Sequence, residues 1–114
     1  MGQGGEVIGS EHFSLDDREI DLDAQKRNGL VLLDAICAAV SEASGTRVEV
    51  GGAPWNLLYR YQTESGAKNQ RARDFLANEL DRITDQAKLS WQLLYSNYMK
   101  TYILNIHVVS TRKV

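Results

Sequence analysis

The chain has 114 residues, with 13 Lys and Arg against 15 Asp and Glu, and 43% of its residues are hydrophobic. This length fits one domain with its own core, and the composition excludes a disordered tail, a collagen-like repeat and a disulfide scaffold. The near-neutral charge disfavours a dedicated nucleic-acid binder, which usually carries a basic domain. A single cysteine excludes an intrachain disulfide, and the chain lacks the run of roughly 18 apolar residues that would cross a membrane.

The ends of the chain differ in composition from its middle. The first ten residues are rich in glycine and predict a flexible lead-in, which has neither the basic nor the apolar region of a signal peptide. Residues 11–110 carry the periodic patterns of one folded domain, and residues 111–114 are left as a tail.

Acidic residues are concentrated at the start. Residues 1–23 carry seven acids and one base, whereas residues 24–114 carry eight acids and twelve bases. Ile20 and Leu22 alternate with acids, which predicts a half-buried strand. The alternation changes phase before Ile20, so we expect a bend or bulge near Asp16–Asp17.

The next segment predicts a helix over about residues 29–44. Asn28 is a suitable N-cap, and Gly45 is a suitable left-handed C-terminal residue. A one-sided apolar stripe with helical spacing lies between them. Its members are Leu33, Ile36, Cys37 and Val40.

The middle of the chain contains short elements. Residues 47–50 alternate and predict a strand, and residues 51–54 break regular structure with two glycines and a proline. Residues 55–61 are apolar and aromatic and predict another strand, although the sequence also allows a loop. Residues 62–68 are polar and predict a loop.

A second helix follows, with Asn69 as its expected N-cap. Its apolar stripe keeps the helical period over four turns. The members are Ala72, Phe75, Leu76, Leu80, Ile83 and Ala87. Two strands, Ser90–Tyr95 and Tyr102–Val109, complete the chain, and residues 96–100 between them predict a hairpin turn.

The predicted order is therefore β-α-β-(β)-α-β-β. This order defines an α+β fold, or α/β sandwich, in which two helices pack on small sheets. Each half repeats a helix followed at once by a short strand. The sequence thus predicts two βαβ-type units in a single domain.

Residues capable of chemistry do not form a recognisable site. Four alternating acids line one side of the first strand, namely Asp17, Glu19, Asp21 and Asp23. They lack the spacing of a calcium loop, so we interpret them as a solvated or edge-protecting face. His12, His107 and Cys37 lack zinc spacing, and Cys37 lies on the apolar stripe of a helix. The sequence predicts no catalytic residue, no metal and no cofactor.

The pattern resembles a known family. Residues 20–25, the Leu-rich helix and the strand that follows Gly45 resemble the first half of the secretin and TonB short N-terminal domain. Residues 69–86 resemble that family's second helix, and residues 89–93 resemble its strand with an L-x-Y/W motif. Tyr102–Val109 resembles its closing strand.

The resemblance covers about residues 18–109, with three departures, one of which is that the second helix ends without the family's usual Gly. Asp23 replaces the family's proline, and residues 51–68 form a longer and more aromatic connection than is usual. Membership implies a non-enzymatic interaction module outside the bacterial cytoplasm, in transport, signalling or secretion assemblies. It implies a periplasmic or other extracytoplasmic location and a protein partner in the cell envelope, without nucleic acid and without direct insertion into the membrane.

The residues themselves suggest where a partner binds. Trp, Tyr and Arg dominate interface hot spots, and the connection after residue 54 contains all three types. The predicted partner-binding residues are Trp55, Tyr59, Arg60 and Tyr61. The alternative is a small cytoplasmic α+β protein that binds nucleic acid or a small ligand through its sheet, because aromatic and Arg side chains also stack on bases.

Overall fold

A computed structural model describes residues 5–8, 17–84 and 87–111. Within these residues lie three helices, α1 (Gly29–Ser44), α2 (Trp55–Arg60) and α3 (Ala72–Ile83). The strands are β1 (Gly5–Ile8), β2 (Glu19–Leu22), β3 (Arg27–Asn28), β4 (Val48–Val50), β5 (Gln62–Thr63), β6 (Ala67–Arg71), β7 (Ala87–Ser96) and β8 (Thr101–Thr111). The predicted α+β class is confirmed.

The main sheet is built around the β7–β8 hairpin. Its strand order is β1-β7-β8-β4, with β7 and β8 antiparallel and with β1 and β4 added in parallel at the two edges. Residues 97–100 form the turn of the hairpin, as predicted. Two antiparallel ribbons, β2 with β6 and β3 with β5, lie outside this sheet.

The two halves of the chain meet at β8. Helix α1 leads into β4 and helix α3 leads into β7, and both strands border β8. Strand β4 runs parallel to β8, whereas β7 runs antiparallel to it. The two helix–strand units therefore approach a shared central strand from opposite sides and in opposite directions.

Helix α1 has the predicted limits because both of its ends are capped. The Asn28 side chain accepts a hydrogen bond from the Val31 N–H at 2.9 Å. At the other end Gly45 adopts a φ of 75° and donates its N–H to the Ser41 carbonyl. The caps satisfy backbone groups that a helix end would otherwise leave without a partner.

The core lies between the two long helices and one face of the main sheet. Strand β8 turns Tyr102, Leu104 and Ile106 inward, and His107 on its other face is exposed. The helices supply the remaining core side chains together with β7. They include Leu32, Leu33, Ile36, Cys37, Val40, Phe75, Leu76, Leu80, Leu89, Trp91 and Leu93.

The strand predicted for residues 55–61 is wrong, because Trp55–Arg60 form helix α2. Trp55, Leu58 and Tyr59 have the helical spacing i, i+3, i+4. Aromatic residues favour strands mainly through packing on a pleated surface. Here the packing partner of Leu58 is the start of α1, so tertiary contact overrides the local preference.

The predicted start and end of the second helix are also wrong. Asn69 lies in β6 with a φ of 50° and donates its N–H to Asp21 Oδ1 at 2.7 Å, and α3 begins at Ala72. The helix ends at Ile83, and Ala87 already belongs to β7. The expected loop at residues 62–68 contains β5 and the start of β6, because these residues pair with β3 and β2.

Several predictions concern the N-terminal region. The residues from Gly5 to Ile8, within the predicted lead-in, pair with β7 as strand β1. Asp16 lies outside the described residues, so only part of the expected bend is visible. An irregularity of pairing occurs further along, between Ile20 and Leu22.

The packing of α3 predicts the effect of a core substitution. Phe75 is buried between α3 and the sheet, so Phe75→Ala should reduce the free energy of unfolding by about 3–5 kcal/mol. Urea denaturation of this variant and of Asn78→Ala, an exposed position on the same helix, measures the difference. Equal midpoints for the two variants would contradict the assigned core face.

Candidate functional site

Helix α2 is held against the N-terminal end of α1 by one very close approach. Leu58 is 0% exposed. A Cβ atom built on Gly29 would lie 2.7 Å from the Leu58 carbonyl oxygen and 3.0 Å from its Cα. The Gly29 N–H also donates to the Tyr61 carbonyl at 3.0 Å. The absence of a side chain at Gly29 therefore allows α2 to sit directly on α1.

Tyr61 anchors the C-terminal end of α2 to α3. Its hydroxyl donates to Glu79 Oε1 at 2.9 Å, and the Thr63 hydroxyl donates to the same oxygen at 3.5 Å. Glu79 is only 2% exposed, and Arg82 lies 3.5 Å from its other oxygen. Burying a carboxylate costs free energy unless it is hydrogen-bonded. Glu79 therefore favours the one position of Tyr61 in which the hydroxyl reaches its oxygen. Burial, followed by the hydrogen bond to Glu79, raises the pKa of Tyr61.

The outer side of α2 presents two aromatic rings to solvent. Trp55 and Tyr59 are 50% and 66% exposed, and their i, i+4 spacing places them side by side. Arg60 follows them and is exposed. We call Trp55, Tyr59 and Arg60 the α2 face. Val31, in the first turn of α1, is also exposed.

The other aromatic side chains of the sheet serve mostly in packing. Trp91 and Tyr102 are buried, and the Tyr95 and Tyr102 rings lie 4.8 Å apart across the β7–β8 pair. Arg73 lies over the Trp91 ring at 6.0 Å and donates to Asp17 at 3.2 Å. These groups are therefore engaged within the fold rather than arranged as a stacking platform.

Cys37 is buried in the core beside a small apolar cavity of about 30 Å³ between the two long helices and the sheet. The lining residues are Ile36, Cys37, Val40, Val48, Ala72, Arg73, Leu76, Trp91, Leu93 and Leu104. Burial raises the pKa of the Cys37 thiol from 9.0 to about 12, with nearby Asp34 and Glu49 adding to the effect. A protonated, enclosed thiol is a poor nucleophile.

The four acids at the start of the chain lie at the surface, where Asp17 pairs with Arg73 and Asp21 accepts from the Asn69 N–H. Asp17, Glu19, Asp21 and Asp23 are all exposed. In the described part of the chain, no three His, Cys, Asp or Glu side chains come together as a metal site. Nor does any helix within those residues have the length and apolar character needed to span a membrane.

The structure separates the four predicted partner-binding residues into two groups. Trp55, Tyr59 and Arg60 share the exposed face, whereas Tyr61 turns its hydroxyl toward Glu79. The sequence analysis missed Glu79, although a signal was present. Glu79 falls on the apolar stripe of α3, four residues after Phe75, where a buried acid requires partners.

Comparison of the chain with protein-family models, curated proteins and solved structures finds no match. The resemblance to the secretin and TonB short domain therefore stays a prediction. The functional argument rests on the geometry of the α2 face and on the contacts that hold it.

Two raised pKa values predict a loss of stability in alkali. The unfolded chain releases the Cys37 and Tyr61 protons at lower pH than the folded chain does. Their contribution is thus intact below about pH 9 and declines as the pH rises toward 12. Cys37 alone should add up to about 1.4 kcal/mol per pH unit to this decline.

Urea denaturation at about one-unit steps between about pH 8 and pH 11 measures how the free energy of unfolding declines in wild type and in Cys37→Ala. At about pH 8 the variant should have a lower free energy of unfolding than wild type, because the substitution enlarges a cavity. As the pH rises, its free energy of unfolding should fall less steeply than that of wild type. Identical slopes would contradict the burial of the thiol as the cause.

Proposed function

We propose that this domain is a non-enzymatic protein-interaction module that binds its partner through the α2 face. The observation that carries the proposal is the exposure of Trp55 and Tyr59 on a helix whose buried residue, Leu58, is 0% exposed. The fold uses Leu58 to seat the helix, and the two exposed rings contribute little to that packing. Large exposed aromatic side chains on an ordered element are typical of interfaces.

The support beneath the α2 face makes it suitable for binding. The Gly29 N–H and the Tyr61 hydroxyl hold the C-terminal end of α2 from two sides, through α1 and through Glu79 of α3. A face held in place before binding loses less conformational entropy when a partner arrives. Tyr61 therefore supports the site from beneath, and the rings of Trp55 and Tyr59 are the proposed contacts.

The non-enzymatic part of the proposal has its own support. The thiol of Cys37 is enclosed and protonated, and His107 lies exposed on the opposite face of the sheet from the core. Neither residue belongs to the α2 face. A binding role uses the exposed aromatic side chains directly and needs no activated group.

The cellular setting is the part that rests on the family resemblance. A module of the secretin and TonB short-domain type binds a protein partner in the cell envelope, in an extracytoplasmic compartment. The matching segments include β2, the exit from α1 into β4, and the two strands of the hairpin. We propose this setting for the chain, with an envelope protein as its partner.

A pair of double variants tests the proposal. Trp55→Ser with Tyr59→Ser removes both rings, and Tyr98→Ser with Met99→Ser removes two exposed side chains from the hairpin turn as a control. The turn lies beside the start of β4, whereas α2 follows its end. Both variants should keep native amide dispersion in NMR spectra, because none of the four side chains is buried.

Binding should separate the two variants. Immobilised wild-type domain should capture a defined protein from envelope extract, and the complex should be reconstituted from purified components. Loss of a hot-spot aromatic costs about 2 kcal/mol, so the Trp55/Tyr59 variant should bind at least about 30-fold more weakly. The control should bind like wild type.

Three results would contradict the proposal. The first is equal affinity of the two double variants for the partner. The second is collapse of the Trp55/Tyr59 spectrum, which would assign both rings to the core. The third is salt-sensitive binding to oligonucleotides in place of a protein, which would favour the alternative function through the sheet.

A further inference from the structure

The junction between β3 and α1 carries a reactive dipeptide. Asn28-Gly29 is the one Asn-Gly step in the sequence. In such a step the peptide nitrogen after asparagine attacks the side-chain carbonyl carbon. The attack releases ammonia and closes a five-membered succinimide ring, which water then opens to aspartate or isoaspartate. Glycine at the second position favours the attack because it has no Cβ to hinder the approach and has a freely rotating backbone.

We propose that Asn28-Gly29 is a gated deamidation site, closed while α2 is seated on α1 and opened when α2 detaches. This proposal does not depend on the nature of the partner. It rests on three contacts and one backbone angle, which disfavour attack of the Gly29 nitrogen on the Asn28 side chain.

The attacking nitrogen is occupied in the folded state. The Gly29 N–H donates to the Tyr61 carbonyl at 3.0 Å, and Gly29 itself is buried beneath Leu58. The nitrogen must lose this proton to become nucleophilic. With a hydrogen-bond acceptor in place and water excluded, removal of the proton is disfavoured.

The attacked side chain is also held in an unproductive position. Asn28 Oδ1 accepts the N-cap hydrogen bond from the Val31 N–H at 2.9 Å. The backbone ψ of Asn28 is 174°. Ring closure needs the Gly29 nitrogen nearly eclipsed with Asn28 Cβ about the Cα–C bond, whereas this ψ leaves the two staggered.

Detachment of α2 removes together the two contacts that cover Gly29, whereas the N-cap hydrogen bond of Asn28 belongs to α1. Leu58 is the buried residue of this six-residue helix, and Tyr61 follows directly after its end. When α2 lifts, the Tyr61 carbonyl and the Leu58 backbone leave Gly29, whose N–H then reaches solvent and whose backbone can rotate. A short element with few buried contacts opens more often than the core around it.

The two products have different consequences. Aspartate at position 28 keeps an oxygen for the N-cap and places a negative charge at the start of α1, where the helix dipole favours it. Isoaspartate inserts a methylene into the main chain, which moves Gly29 away from the Tyr61 carbonyl. Because the reaction is irreversible, modified Asn28 should accumulate each time α2 opens.

Deamidation rates of the intact chain test this gate. The extent at Asn28 is measured over time by peptide mapping with mass spectrometry, with the exposed Asn97 as an internal reference. Reaction through a transient opening follows the population of the open state. The folded wild type should react at least about tenfold more slowly than the same chain unfolded in urea.

Two variants separate opening of α2 from opening of the whole fold. Leu58→Ala removes the contact that seats α2, and Leu80→Ala, in the core of α3, serves as a control for lower overall stability. Under conditions where both stay folded, Leu58→Ala should raise the rate at Asn28 on the order of tenfold above the control. Should Leu58→Ala fail to fold, Tyr61→Phe, which removes the hydroxyl anchored to Glu79, replaces it and should also exceed the control.

Two outcomes would overturn the proposal. If folded and unfolded wild type deamidate at the same rate, the contacts give no protection. If the α2 variant reacts no faster than Leu80→Ala, the site opens only through global unfolding and α2 is not its gate.

Discussion

The close approach between Gly29 and Leu58 is the constraint on which the rest of this arrangement depends. Because position 29 carries no side chain, the Leu58 carbonyl oxygen can lie only 2.7 Å from the place that a Cβ atom would occupy. Leu58 then becomes fully buried, and the helical spacing turns Trp55 and Tyr59 outward. The same approach brings the Tyr61 carbonyl to the Gly29 N–H. The absence of a side chain at Gly29 thus sets the orientation of α2, the exposure of its two aromatic rings and the protection of the Gly29 amide.

The buried carboxylate of Glu79 complements this constraint from the other side. A carboxylate that is 2% exposed must receive hydrogen bonds, and the hydroxyl groups of Tyr61 and Thr63 supply them. Removing either hydroxyl would leave the acid less satisfied, so the segment after α2 has a defined position on α3. The α2 face is thereby fixed to both long helices, and a partner would meet a prepared surface.

The sequence predicts those parts of this fold that local signals control. Asn28 and Gly45 define α1 because capping is a local interaction, and the predicted hairpin turn is likewise found between β7 and β8. Helix α2 is missed because its conformation depends on Gly29, which is 29 residues away from Leu58 along the chain. Likewise Asn69 has the residue type of an N-cap, but it lies in β6, which pairs with β2, and its N–H donates to the Asp21 side chain. The sequence names Trp55, Tyr59 and Arg60 from their residue types, but their shared exposed face follows only once the buried contact of Leu58 is known.

Native-state hydrogen exchange of Gly29→Ala tests the central constraint most directly. The new Cβ cannot coexist with the Leu58 carbonyl at its present distance, so α2 must shift or detach. The amides of Leu58 and Tyr61, which donate within and at the end of α2, should lose protection by roughly tenfold or more. Amides of the β7–β8 pair should change no more than the overall stability does. Unchanged protection of Leu58 and Tyr61 would show that α2 does not depend on Gly29, and would contradict this account.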